Sequence, residues 1–313
     1  MSYKIEIAKG SLACALGEGP HWDAAKKELL YVDILGQGVL RYVPATQECY
    51  RVSIECGTVS LVVPVENNAN QYLLGIGRTI QLMEWDGKSP KPTSLKILHT
   101  VDNEDDRIKN RFNDGKCDSQ GRLYAGTMGY LEQSTLKLDD KKGTLYSIQG
   151  NKVNRHFGGI DISNGLAWSP DDKVMYYIDS FTYRVDAHDY DGKTGILSNP
   201  RPVFDLKAEG VVGVPDGMTI DADGNLWIAL FDGGKVIHVD PISGKKIGEV
   251  KVPTGKVTSV AFGDPQLDTL YITTASKFRK DGTVEPEPGA GELYAVTNLG
   301  VKGLSAGYGY KGN

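Results

Sequence analysis

The chain has 313 residues, of which 40% are hydrophobic and 24% charged, and its formal net charge is -5 at pH 7. This is the composition of a soluble globular protein, long enough to bury a large core without disulfides or a partner. The mildly acidic balance speaks against nucleic acid or an anionic membrane as the main partner, since both call for a basic face. Met1-Ser2-Tyr3-Lys4-Ile5-Glu6 lacks the apolar run of a signal peptide, and no later stretch reaches the roughly 20 apolar residues of a membrane span. Cys14, Cys49, Cys56 and Cys117 match no zinc or redox spacing and read as free thiols, so a cytoplasmic protein is expected.

Asp-Gly, Asn-Gly and Gly-Gly pairs recur along the chain and supply turn chemistry, while the short runs between them are rich in Tyr, Val, Ile, Leu and Trp and read as strands. Tyr3 to Ile7 is the first of these. Glu18-Gly19-Pro20-His21-Trp22 then leads to Leu29-Leu30-Tyr31-Val32-Asp33, followed by Gly38-Val39-Leu40-Arg41-Tyr42. Val59-Ser60-Leu61 leads to Tyr72-Leu73-Leu74 and then Ile80-Gln81-Leu82-Met83-Glu84. Asn113-Asp114-Gly115 leads to Leu123-Tyr124-Ala125-Gly126, and Ser163-Asn164-Gly165 to Met175-Tyr176-Tyr177-Ile178-Asp179. Pro215-Asp216-Gly217 leads to Leu226-Trp227-Ile228 and Lys235-Val236-Ile237-His238-Val239, and Thr258-Ser259-Val260 to Leu270-Tyr271-Ile272-Thr273.

These are six repeats of one unit. Their polar markers stand about 42 to 54 residues apart, near the roughly 40–50 residues of a four-stranded propeller blade. The expected fold is therefore all-β: a six-bladed β-propeller of four-stranded blades around a central channel, with residues 1–313 as one domain. A β-sandwich or two all-β domains would use similar strands but would not place a polar residue in the same register six times. Propeller topology further predicts that Tyr3 to Ile7 closes the ring against the last blade, near Gly291 to Val296.

In a propeller, a residue in equivalent register in every blade points at the same axial spot. Glu18, Ser60, Asp114 with neighbouring Asn113, Asn164, Asp216 and Ser259 would then form a ring of oxygen donors. Clustered carboxylates repel unless they share a proton or a cation. An oxygen-only set suits Ca²⁺, Mg²⁺ or Mn²⁺, with Zn²⁺ open to a carboxylate-rich site. Taken singly, Asn164-Gly165 and Asp216-Gly217 also read as ordinary turn pairs; the shared register with Glu18, where no turn rule calls for Glu, favours the ring.

Gly17-Glu18-Gly19-Pro20, Asn110-Arg111-Phe112-Asn113-Asp114-Gly115-Lys116, Asp161-Ile162-Ser163-Asn164-Gly165-Leu166, Tyr176-Tyr177-Ile178-Asp179 and Pro215-Asp216-Gly217-Met218 resemble motifs of the SMP-30/gluconolactonase/luciferin-regenerating-enzyme family. The likeness covers essentially the whole chain, with five motifs in order. It implies a metal-dependent lactonase with one divalent cation on the propeller axis. Glu18, Asn164 and Asp216 match the family's metal ligands, Arg111 and Asn113 its substrate-binding pair, and Asp216 its catalytic carboxylate.

One departure stands out. Family members active on sugar lactones often carry a substrate-contacting Glu shortly after Gly-Thr-Met; here Gly126-Thr127-Met128 is followed by Gly129-Tyr130-Leu131-Glu132, which puts Leu131 at the expected position and the acid one residue later. Glu132 is the candidate to take over that role, and gluconolactone as the natural substrate is placed in doubt.

The function expected is hydrolysis of a small lactone by a cation that polarises the carbonyl, with a water deprotonated near Asp216, in a monomeric protein. Alternatives are a calcium-binding regulatory protein without turnover, or a metal-dependent hydrolase of another electrophile, such as a phosphotriester or the nitrile-type product handled by luciferin-regenerating enzymes. His21 is expected to be packed rather than catalytic. His99, His156, His188 and His238 have no HExxH-type spacing, and Ser60 and Ser259 lie in no GxSxG elbow. Trp22, Trp85, Trp168 and Trp227 are expected to pack between blades, and Asp102 to Asp106 to be a solvated loop.

Overall fold

A computed structural model describes residues 3–132, 135, 137–276, 287–305 and 307–312. Six four-stranded antiparallel sheets follow one another along the chain. Blade I runs from Gly17 to Ser53, blade II from Val59 to Thr100, blade III from Arg111 to Ile160, blade IV from Ser163 to Asp205 and blade V from Val214 to Lys251. Blade VI takes three strands from Val257 to Thr297 and its fourth from the N-terminus. There Lys4–Ile7 pairs antiparallel with Tyr294–Thr297, so the two ends of the chain share a sheet as propeller topology predicts.

The innermost strands of neighbouring blades touch in the order I–II–III–IV–V–VI–I, which closes the ring. The apolar core is divided accordingly. Six clusters of buried side chains lie between successive blades, for example Leu30, Val32, Val62 and Leu74 between I and II, and Trp227, Val236, Val260 and Ile272 between V and VI. Each blade is thus apolar on both faces, which is why its second strands read as continuous apolar runs. The tryptophans serve these seams: Trp22 stacks on Tyr271, Trp168 meets Tyr124 edge-on and Trp227 meets Phe262 edge-on. Trp85 packs on Tyr72 of its own blade, within the cluster shared by blades I and II.

Two further features were not anticipated. A two-stranded hairpin, Leu131–Glu132 with Lys137–Leu138, is inserted in blade III between its second and third strands. The C-terminal segment crosses the end of the channel where the inner strands finish: Gly303 bridges Asp221, Tyr310 bridges Val65, and the Lys311 amide donates to the Gly121 carbonyl at 3.0 Å.

Candidate metal and substrate site

Every innermost strand carries a β-bulge at the same level, between Glu18 and His21, Val59 and Leu61, Phe112 and Asp114, Ser163 and Leu166, Pro215 and Met218, and Val257 and Ser259. A bulge breaks the in-out alternation and re-aims a side chain. This gives the six-fold polar register a physical origin. In blades III and VI the bulged residues are Asn113 and Thr258, one position before Asp114 and Ser259.

Asn164-Gly165 and Asp216-Gly217 are not turns but parts of inner strands. Their glycines are required by close approach. A Cβ on Gly217 would lie 1.9 Å from Ser259 Oγ, and one on Gly165 would lie 2.6 Å from Met218 Cβ. Blades IV, V and VI meet at the axis too tightly for any side chain there.

The bulges bring Glu18, Asn113, Asp114, Asn164 and Asp216 together, all buried. Burial and the neighbouring Asp114 carboxylate push the Glu18 carboxyl up to about 8, against the pull of the Gly19 amide, which donates to Glu18 Oε2 at 2.9 Å. Asp216 lies within hydrogen-bond reach of Glu18; burial, then Glu18 and Asp114, hold it well above the usual carboxylate range. Asp114 is raised by burial, with Lys116 opposing. Burial lowers Arg111 to about 10, with Glu18 and Asp216 as its opposing charges, so it is still a cation at neutral pH.

The amides are oriented by a chain of bonds. Arg111 Nη1 donates to Asn113 Oδ1 at 2.7 Å, and Asn113 Nδ2 donates to Asn164 Oδ1 at 3.1 Å and to the Ser163 carbonyl at 2.8 Å. Asn164 Nδ2 donates to Ser180 Oγ at 2.8 Å, and that hydroxyl donates to the Pro215 carbonyl at 2.7 Å, next to Asp216. The loops that enter the site are pinned by acids ending the second strands. Asp33 accepts from the amides of Leu16 at 3.0 Å and Gly36 at 2.9 Å, and Asp179 accepts from those of Asp161 at 3.1 Å and Ile162 at 3.0 Å.

Not every ring member contributes. Ser60 Oγ donates to the Gly75 carbonyl of its own blade, and Thr258 Oγ to the Gly17 carbonyl of blade I. Ser259 lines a narrow axial space below the acids, with Lys116, His21 and Asp114. Glu132 is half-buried on the inserted hairpin and accepts a bond from Tyr130 Oη at 3.2 Å. The acidic run is only partly solvated: Asp102 is buried and accepts from Tyr146 Oη at 2.6 Å and Asn110 Nδ2 at 2.7 Å. Two residues not singled out by the sequence are Lys116, a half-buried axial cation, and Ser180, the orienting hydroxyl. Lys116 lies two residues past Asp114 in the same inner strand, where a charge should have stood out.

Among the described residues, no group of three or more His, Cys, Asp and Glu side chains is arranged to hold a metal. The candidate set is two carboxylates with one amide. Its chemistry nevertheless fits a hard divalent cation: all donors are oxygens, and three crowded acids face only Arg111 and Lys116.

Fold and site together define the class, a six-bladed β-propeller with acids and amides gathered on its axis, and the sequence comparison gives its family. Residues 16–276 match the SMP-30/Gluconolactonase/LRE-like region, and the chain belongs to this family. It is 42% identical to human regucalcin over 305 residues, covering 96% of each chain, and 41% identical to regucalcin of Xenopus laevis over 307 residues, covering 97% of each. Among solved structures it is similar to a luciferin-regenerating enzyme, with TM-score 0.92, 38% identity and coverage of 99% of this chain and 100% of the other. A calcium-binding regucalcin of Agrobacterium tumefaciens shares the fold at TM-score 0.82 and 24% identity, over 98% of this chain and 96% of the other. Among the described residues no helix is long and apolar enough to cross a membrane.

Proposed function

We propose that the protein is a divalent-metal-dependent hydrolase of small lactones, with Glu18, Asn164 and Asp216 as metal ligands. The observation that carries this reading is the meeting of the Glu18 and Asp216 carboxyls under the charge of Arg111, with the Asn113–Asn164 amide pair beside them. Ion binding alone would need the acids and no Arg–Asn pair shaped for an organic ligand.

A bound cation of the Ca²⁺, Mg²⁺, Mn²⁺ or Zn²⁺ class would supply Lewis-acid polarisation of the lactone carbonyl and acidify water. The chain's own groups do the rest. Asp216 accepts the proton of the attacking water; Arg111 and Asn113 hold ring oxygens or hydroxyls of the substrate; Glu132 reaches it from the inserted hairpin. If Glu18, Asp114 and Asp216 are all ionised against Arg111 and Lys116, one negative charge is left over, and a divalent cation turns the site positive by one. A net positive site stabilises an oxyanion more than a neutral carbonyl, which is the differential binding catalysis requires.

The likeness to a luciferin-regenerating enzyme supports a second reading, hydrolysis of another electrophile at the same site. The relatedness to regucalcins supports a third, calcium binding without turnover. The test is hydrolysis of aldonolactones and simple γ- and δ-lactones by metal-stripped protein, with and without each cation, alongside Asp216→Ala. Activity that returns with cation and is absent from a folded Asp216→Ala protein supports the lactonase. Full activity in folded Asp216→Ala overturns it, and cation binding without turnover shifts the reading to an ion-binding protein.

A further inference from the structure

Lys116 and Asp114 lie two residues apart in the inner strand of blade III, so both side chains leave the same face, and both line the narrow axial space below the acids. The Lys116 ammonium reaches blade V, where it donates to the Met218 carbonyl at 2.9 Å. Among the described residues lining that space it is the one cation at neutral pH. Burial, against Asp23 and with Lys116, pushes the His21 imidazole down to about 4, and His21 Nε2 has no hydrogen-bond partner. Lys116 and His21 also line a cavity of about 140 Å³ beneath the C-terminal segment, so a change of side chain at 116 has room to be absorbed. An ammonium here works against any cation held by the axial acids, since like charges repel strongly in a low-dielectric channel. A methionine would fill the same space without that repulsion, so the charge itself calls for an explanation. Asp114 provides it. Its carboxylate crowds Glu18 and Asp216, and Lys116 favours its ionised form. Burial opposes the charge of Lys116, and Asp114 in turn supports it.

We propose that Lys116 sets the charge of the axial site: it is an internal counter-ion to Asp114 that limits the charge of the ion the axis accepts. The inference rests on the reading of Glu18, Asn164 and Asp216 as metal ligands. Three ionised acids against Arg111 and Lys116 leave one negative charge, which a divalent cation turns to plus one and a trivalent cation to plus two. Without the Lys116 charge the same ions would leave the site neutral or at plus one. Lys116 therefore holds divalent affinity below what the three acids would otherwise give. It also discriminates against ions of higher charge, because its repulsion grows with the charge of the ion. Lys116 lies below the acids and acts through their charge, so it is a positioning residue.

The test is calorimetric titration of chelator-stripped, full-length protein at pH 7 with Ca²⁺ and with La³⁺. In Lys116→Met the Ca²⁺ affinity should rise about tenfold or more, and the La³⁺ affinity by a larger factor. Lys116→Arg, which keeps the charge, should stay near the wild type. The double variant Asp114→Asn/Lys116→Met has the wild-type net charge at this site. It should return to within about threefold of the wild-type Ca²⁺ affinity, an outcome that a packing role for Lys116 would not produce. Lys116→Gln repeats the measurement if Lys116→Met does not fold. Ca²⁺ binding by the wild type that is unchanged or weakened in the folded Lys116→Met or Lys116→Gln protein would overturn the inference and leave the metal-ligand reading standing. No binding of either ion, even with the Lys116 charge removed, would overturn the metal-ligand reading and the inference with it.

Discussion

The carboxyl groups of Glu18 in blade I and Asp216 in blade V meet on the propeller axis, buried and within hydrogen-bond reach of each other. Two such groups cannot both ionise cheaply, so in the absence of a cation they retain a proton at neutral pH. This relationship ties the stability of the protein to whatever occupies the axis.

With Glu18 raised to about 8, the folded protein keeps a proton that the unfolded chain has already released above its ordinary carboxylate pKa. Stability of cation-free protein should therefore fall as pH rises from about 5 to 8. A divalent cation that replaces the proton should bind more tightly over the same window, by about tenfold per pH unit for each proton displaced. Calorimetric Tm of chelated and cation-loaded protein at pH 5, 6.5 and 8 checks this. A Tm of chelated protein that climbs across the window would contradict it.

Ser180 joins blade IV to blade V by accepting from Asn164 and donating to the Pro215 carbonyl. Ser180→Ala removes one of the two side-chain bonds that orient the Asn164 amide, leaving that from Asn113, and loss of such a supporting bond commonly weakens metal affinity by about 10- to 100-fold. The expected outcome is weaker cation binding by titration, with the far-UV spectrum of the wild type. Unchanged affinity would show that Asn164 does not ligate the ion through this orientation.

Arg111 is half-buried, lies in the field of Glu18 and Asp216, and donates to Asn113. In Arg111→Ala the substrate loses a charge-assisted partner, so kcat/KM for the best lactone should fall about 10- to 100-fold, chiefly through KM. A fall carried entirely by kcat would instead give Arg111 a transition-state role.

Lys4–Ile7 completes blade VI, and Ile5 packs on the cluster between blades V and VI. Deleting the first seven residues should cost about 2–4 kcal/mol from lost ladder bonds and apolar burial. It would also expose the edge of Tyr294–Thr297 to pairing between molecules. Denaturant unfolding and light scattering would read both effects, and an unaltered midpoint would refute the closure's importance.

The blades, their count and the closure by Lys4–Ile7 could be read in the sequence because they rest on local patterns: apolar runs, turn residues and a polar marker repeated at blade spacing. Glu18, Asn164 and Asp216 were legible for the same reason, since equal register in repeated units means convergence on one axis. What the register could not resolve was the single-residue shift that a bulge introduces. Hence Asn113 rather than Asp114 fills the bulge of blade III, and Thr258 turns its hydroxyl to blade I. The roles of Gly165 and Gly217 likewise come from contacts with the next blade, and no local propensity distinguishes them from turn glycines. The burial of Asp102, the axial placement of Lys116, the support from Ser180 and the cavity under the C-terminal segment were decided by tertiary structure alone. Each depends on which distant segments are pressed together, and a hydrogen bond or an orphaned donor exists only once its surroundings have excluded water.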